Sequence, residues 1–318
     1  MESRLNRIGW RASSGYQIRQ SDKNSRILKI VQSITANQLR KKNRMKSADV
    51  IAAALPDFDR MAADFDLFLP LIQPVGLAVL EHLPKLPEGA NVLDVACGPG
   101  EPGLTLARLS PGVHLLGIDS AAGMIEVARR KAAYQHLTKA RFEVASAETL
   151  SCADGSMDAV ISRFGLMLFG DTAASARELA RVLRPGGHFS LAVWDDMAEN
   201  RLVKTVLEAF SGRLPAELLP PFERLCAGAA AARGLLSEAG LSVVESELFR
   251  WNMEFANQSD LWQLLSGPGG PFSRQFAELN ETNKEQVRSE VIGTQAPYLQ
   301  NDGRYQIPHA CRLLWGQR

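Results

Sequence analysis

Between residues 89 and 195, short apolar runs alternate with amphipathic stretches. The runs are Asn91–Ala96, His114–Ile118, Ala140–Ala145, Asp158–Ser162 and His188–Trp194. Between them, Leu104–Leu109, Ala121–Ala133 and Thr172–Leu183 carry apolar residues at helical spacing. Strands alternating with helices predict an α/β fold, a doubly wound parallel sheet covered on both faces. Gly186 and Gly187, after Pro185, are expected to close the last helix and turn the chain into the fifth strand.

The flanks read differently. In residues 47–88, Ala52, Leu55, Phe58, Met61, Ala62, Phe65 and Phe68 recur at helical spacing, punctuated by Pro70, Pro74, Pro84 and Pro87. After residue 196, a helix at Ala227–Ala239 is stopped by Gly240, and strand-like runs follow at Ser242–Phe255 and Tyr305–Trp315. This pair predicts a hairpin that gives the mostly parallel sheet an antiparallel C-terminal edge strand. Between its arms lies a polar, helix-like insert, Gln258–Asn301. Structureless loops of that length are uncommon without a function, so the insert reads as a helical lid or substrate cap. Its Gly267-Pro268-Gly269-Gly270-Pro271 cluster reads as a hinge. The expected parts are therefore a basic extension (1–46), N-terminal helices (47–88), a core (89–257), the insert (258–301) and a final core strand (302–318).

Charge separates the first part from the rest. Residues 1–46 hold twelve Lys or Arg against two acids, Glu2 and Asp22, although the net charge of all 318 residues is only +1. The extension reads as a solvated tail or an arm that supports a homo-oligomer, and the near-neutral whole gives no field suited to nucleic acid. Cys97, Cys152, Cys226 and Cys311 form no CxxC pair, which points to free thiols in a reducing compartment. No apolar run reaches the ~18 residues of a membrane span, and no secretory apolar region is present, so a cytoplasmic location is expected.

The chemistry concentrates in Val92-Leu93-Asp94-Val95-Ala96-Cys97-Gly98-Pro99-Gly100, which passes from a strand into a helix. Gly98 and Gly100 permit a tight turn, and a ligand can rest on backbone amides near the helix N-terminus. Asp119 ends the second strand, where an acid can hold ribose hydroxyls. The same glycines and acid would also serve NAD. Asp94 tilts the balance: a carboxylate before the loop would oppose a pyrophosphate, but it suits the ammonium and sulfonium of S-adenosylmethionine (SAM). Ser146-Ala147-Glu148, after the third strand, is placed to meet an adenine edge.

VLDVACGPGEPG (Val92–Gly103) resembles motif I of class I SAM-dependent methyltransferases, and GIDSAAGMIEVAR (Gly117–Arg129) resembles the segment that follows it. FEVASAETLSCADGSMDAVISRFGLMLF (Phe142–Phe169) is similar to the adenine-binding segment and fourth strand. RVLRPGGHFSLAVW (Arg181–Trp194) is similar to the helix and fifth strand of the small-molecule group that includes ubiquinone and menaquinone C-methyltransferases and natural-product methyltransferases. The resemblance implies a Rossmann-like fold, SAM as cofactor with S-adenosylhomocysteine as product, and roles at matching positions. Asp94, Ala96, Gly98 and Gly100 would surround the methionine moiety. Asp119 would take the ribose, and Ser120, Met124, Ser146, Ala147 and Glu148 would surround the adenine. Arg163 would approach the methionine tail. Ala96 replaces a frequent glycine, and Ser146 replaces the usual aspartate.

Few side chains are strictly required for methyl transfer, because the cofactor carries the reactivity. Asp195 and Arg163 are the candidates for catalysis, with Asp195 equally suited to cap a helix. Phe65, Phe164, Met167, Trp194, Trp251, Trp262 and Phe272 are candidates for an acceptor pocket, and they point to a lipophilic small molecule such as a quinone precursor, isoprenoid, indole or polyketide. Arg163, Arg250 or Arg274 would meet a diphosphate if the acceptor carried one. His188 reads as exposed, and His82, His114, His136 and His309 read as structural. No metal-ligand spacing appears. The competing readings are a SAM-fold cyclase or non-methylating binder, and an NAD-dependent oxidoreductase.

Overall fold

A computed structural model describes residues 56–219, 228–241, 243–267 and 269–318. The basic extension, the helical positions Ala52 and Leu55, Cys226 and Pro268 lie outside the described residues.

Seven strands form one sheet in the order β3-β2-β1-β4-β5-β7-β6. They are β1 (Asn91–Val95), β2 (His114–Asp119), β3 (Ala140–Val144), β4 (Met157–Arg163), β5 (Leu183–Trp194), β6 (Val243–Phe255) and β7 (Tyr305–Gln317). β1 lies inside the sheet, and its last four residues are buried, which is why Val92-Leu93-Asp94-Val95 shows no apolar–polar alternation. β1 to β5 run parallel, and β7 runs antiparallel to both β5 and β6. The antiparallel strand is thus slotted between β5 and β6, and the β6–β7 hairpin closes that edge.

The chain begins with α1 (Phe58–Met61) and α2 (Leu69–Glu81). The crossovers are α3 (Gly103–Leu109), α4 (Ala122–Tyr134) and α5 (Thr172–Val182). Strand order reverses after β3. Right-handed crossovers then place α3 and α4 on one face and α5 on the other, leaving a crevice at the carboxyl ends of β1 and β4. Further on come α6 (Arg201–Phe210) and α7 (Gly228–Glu238). Between β6 and β7 lie α8 (Gln258–Ser266), α9 (Ser273–Ala277) and α10 (Glu281–Gln295).

β5 starts earlier than the sequence pattern predicts. Leu183 already pairs with Met157, and the register then slips before Ala159 pairs with His188. The Pro185-Gly186-Gly187 segment is a bulge within the strand. Arg184 Nε donates to Asp158 Oδ1 at 2.7 Å, and Gly186 N–H donates to the Arg318 carbonyl at 2.9 Å. These bonds tie the segment down, so the helix closes earlier, at Val182, and the glycines lie inside the fifth strand rather than before it. Among the described residues, no helix is long and apolar enough to cross a membrane.

Candidate functional site

The loop after β1 turns through three left-handed residues, Ala96 (φ 55°), Gly98 (φ 52°) and Gly100 (φ 101°). Ala96 therefore holds a conformation usually left to glycine, at a cost of about 1–2 kcal/mol. The loop is secured from β2. Cys97 N–H donates to the Ile118 carbonyl at 2.9 Å, and Gly98 N–H donates to Asp119 Oδ2 at 2.9 Å. Asp119 Oδ1 accepts the Ala121 N–H at 2.9 Å. Each oxygen keeps a further lone pair for a ligand hydroxyl. Burial raises the Asp119 pKa against these amide bonds.

Asp94 is wholly buried. Its Oδ2 accepts the Gly103 N–H at 2.9 Å, whereas its Oδ1 has no partner among the described residues. Burial drives its pKa up to about 8, opposed by the Gly103 amide and the Arg163 charge. Arg163 is buried, donating to the carbonyls of Ile72 at 3.3 Å and Glu101 at 3.0 Å. Its own pKa is lowered to about 10, again chiefly by burial. A buried acceptor without a donor suits a ligand that brings a cationic N–H. The residues present therefore fit the amino-acid end of SAM, with Asp119 fitting its ribose.

The adenine side is more occupied. Ser146 Oγ is hydrogen-bonded to the Glu148 carboxylate and also accepts the Glu148 N–H at 3.2 Å. Glu148 Oε1 takes the Asp171 N–H at 3.1 Å. Ala147 is buried between them in the chain, and Ser120 is exposed. Met124 packs in a small apolar cluster with Met61, Ala62, Ala121 and Val127, edged by Phe58 and Phe65. The N-terminal segment thus covers the first turn of α4, and Asp59 Oδ1 accepts the Gly123 N–H there at 2.7 Å. Sequence reasoning missed Asp59, because only the fold brings it 64 residues along the chain to α4.

Two cavities border this region. One, about 290 Å³, lies between α2, α3 and α4 and reaches Arg163, Glu101 and Gly76. The other, about 280 Å³, is bounded by Asp57, Phe58, Asp59, Ser120, Ala121 and Arg274. Only the second touches the strand-two loop that follows Asp119, so it lies closer to the expected nucleoside.

The acceptor candidates separate into three groups. Phe164 stacks on Trp194 at 4.2 Å, Trp194 faces Trp251 at 5.9 Å, and the Trp194 amide points to the Met167 sulfur at 3.3 Å. Phe65 instead belongs with Phe68 and the Met124 cluster. Trp262 packs on Phe276 at 4.9 Å and Phe272 on Phe210 at 5.9 Å, inside the insert and against α6. Asp195 is engaged by Arg312 at 2.8 Å and caps the Asp196 amide, and Arg250 pairs with Glu199 at 3.1 Å. His309, which the sequence gave no reason to single out, lies buried beside Trp194 and Trp251. Among the described residues, no group of three or more His, Cys, Asp or Glu is placed to hold a metal.

Residues 92–187 match a family described as a methyltransferase domain. The demethylmenaquinone methyltransferase of Thermus thermophilus is 42% identical over 108 residues, covering 34% of this chain and 46% of that protein. The enzyme of the same name from Deinococcus radiodurans is 34% identical over 168 residues, covering 53% of this chain and 65% of that one. The chain thus spans about half to two thirds of the length of these relatives. A phosphoethanolamine N-methyltransferase 2 from Haemonchus contortus, solved with S-adenosyl-L-methionine, superposes with a TM-score of 0.51 at 15% identity. It covers 81% of this chain and 57% of that one, a likeness of fold.

Proposed function

We propose that this chain, whose residues 92–187 match a methyltransferase domain, transfers a methyl group from SAM to a lipophilic small molecule. One observation carries the cofactor half: Asp94 Oδ1, fully buried and without a donor, at the mouth of a left-handed loop tied to Asp119. A nicotinamide dinucleotide would set a pyrophosphate against that carboxylate, an unfavourable pairing. Bound SAM supplies an electrophilic methyl on sulfur, ready for in-line displacement. The protein's part is to hold both reactants and keep water out. Asp94 would take the α-ammonium, and Asp119 would orient the ribose.

The acceptor class is read from the aromatic side chains gathered at the end of β5, Phe164, Trp194 and Trp251, whose apolar character suits a lipophilic molecule. Together with the likeness to demethylmenaquinone methyltransferases, this favours a quinone precursor as the acceptor class. The 258–301 insert acts as a cap over it. In support, a methyl group placed on Gly269 would lie 2.3 Å from Asp64 Cβ, so the insert's turn rests directly on the N-terminal segment. The working location is the cytoplasm.

Titration calorimetry tests the reading. S-adenosylhomocysteine is expected to bind at micromolar concentration and NAD not at all. Tight NAD binding with no response to S-adenosylhomocysteine would overturn it.

A further inference from the structure

We propose that the cavity between α2, α3 and α4 is a second binding site, apart from the cofactor crevice, for a small monocarboxylic acid whose carboxylate pairs with Arg163. The cavity measures about 290 Å³, and Arg163 lines it together with residues of the three helices. Asp94, the 96–100 loop and Asp119 do not border it. A ligand seated there is therefore separate from the groups that fit SAM.

Arg163 ends β4 and is 9% exposed. Its head group passes α2 at Gly76, where a Cβ would lie 3.1 Å from Nη1. It donates to two neutral carbonyls, Ile72 at 3.3 Å and Glu101 at 3.0 Å, and has no ion pair among the described residues. Two bonds leave three of the five guanidinium N–H groups unspent. Its pKa, lowered to about 10 by burial, still leaves it a cation at pH 7.

The nearby acids do not supply a full counter-charge. Glu101 Oε2 takes the Thr105 N–H at 3.0 Å and the Thr105 hydroxyl at 2.6 Å, and its Oε1 takes Arg108 at 3.2 Å. Asp66 is paired with Lys131. Asp94, with its pKa raised to about 8, is mostly protonated at pH 7. A buried cation without an anion is costly, and an anion brought by a ligand relieves it.

The lining sets the class of anion. A planar carboxylate matches the guanidinium fork. The Glu101 carboxylate on the same wall disfavours a dianion such as phosphate. Leu69, Pro70, Leu77 and Pro102 give the cavity apolar sides, and Leu77 is 41% exposed, so an apolar body behind the carboxylate would cover it. The volume holds one small ring or short chain. Gln73, exposed on α2, marks the entrance.

Titration calorimetry of the full chain with sodium benzoate at pH 7 tests the site, with benzamide as the uncharged probe of the same shape. Benzoate is expected to bind at about millimolar concentration and benzamide at least about tenfold more weakly. Gln73→Trp fills the entrance from an exposed position. It is expected to weaken benzoate binding about tenfold while the Kd for S-adenosylhomocysteine stays within about twofold. Protein saturated with S-adenosylhomocysteine is expected to keep its benzoate affinity within about threefold. Absence of benzoate binding overturns the proposal, as does equal affinity for benzamide or an unchanged benzoate affinity in Gln73→Trp. Loss of benzoate binding on saturation with S-adenosylhomocysteine also overturns it, because the anion seat then belongs to the cofactor's own carboxylate. Failure of the wild-type protein to bind S-adenosylhomocysteine overturns the methyltransferase reading instead and leaves the benzoate, benzamide and Gln73→Trp results to decide the site.

Discussion

The carboxylate of Asp119 accepts the backbone N–H of Gly98 at 2.9 Å, joining the end of β2 to the loop that leaves β1. The residue that would hold the ribose therefore also shapes the loop that would hold the methionine. Asp119→Ala removes both roles. Binding of S-adenosylhomocysteine should weaken by about 1–3 kcal/mol, and the apo protein should lose a similar amount of stability. Calorimetry and urea unfolding measure the two, and loss of one without the other would show that the roles are separate.

Gly98 and Gly103 should respond differently to alanine. A Cβ on Gly98 meets nothing within 4 Å, so only the left-handed backbone is penalised, by about 1 kcal/mol. A Cβ on Gly103 would sit 2.7 Å from Asp94 Oδ2 and 3.0 Å from Leu115 Cδ2. Gly103→Ala should destabilise the fold by about 1–3 kcal/mol through overpacking and lower cofactor affinity by displacing Asp94. Denaturation curves of the two variants compare them directly; equal midpoints would contradict this packing.

Asp94 predicts a proton linkage. Its folded pKa of about 8 exceeds the ordinary 3.8, so its contribution to apo stability is complete below pH 3.8 and is lost as pH rises through 8. An ammonium placed against Oδ1 favours the carboxylate. Cofactor binding at pH 7 should then release close to one proton, and at pH 9 almost none. Calorimetry in phosphate and in Tris reads this as a difference in apparent enthalpy. Identical enthalpies at pH 7 would show that Asp94 does not meet the ammonium, and Asp94→Asn should abolish the difference.

Trp251 ties the hairpin edge to α2 through its bond to the Leu71 carbonyl. Trp251→Ala should cost about 3–5 kcal/mol of stability by opening a cavity. Trp251→Phe should cost only about 1 kcal/mol, the bond alone. If Trp251→Ala unfolds at the wild-type urea midpoint, the aromatic stack is not part of the folded core.

The loop after β1 and its tie to Asp119 were legible because their signals are local. Asp94, Gly98 and Gly100 lie within seven residues, and β2 delivers Asp119 at a spacing set by one strand–helix–strand unit. The strands stood out for the same reason, since buried parallel strands are continuous apolar runs. The acceptor half depends on long-range register. Asp195 reads as a free acid until β7 brings Arg312 against it across 117 residues. His309 reads as one more polar position in an alternating run, and only pairing with β6 and β5 places it among indoles. Trp262 and Phe272 carry the same composition signal as Trp194, yet they fill the insert's own core. Aromatic residue type does not say which face it serves.

The position of β7 between β5 and β6 sets an order of assembly. Val243 to Phe255 pair residue for residue with Gln317 to Tyr305, and within the sheet β6 has no other neighbour. During synthesis, the strands that carry Asp94 and Asp119 emerge early and can pair with one another. β6 emerges next and must wait, its backbone unpaired, until residues 305–317 follow. A nascent chain therefore passes through an interval in which both flanks of the later β7 slot are bare edges, prone to capture by a chaperone or by a second unfinished chain.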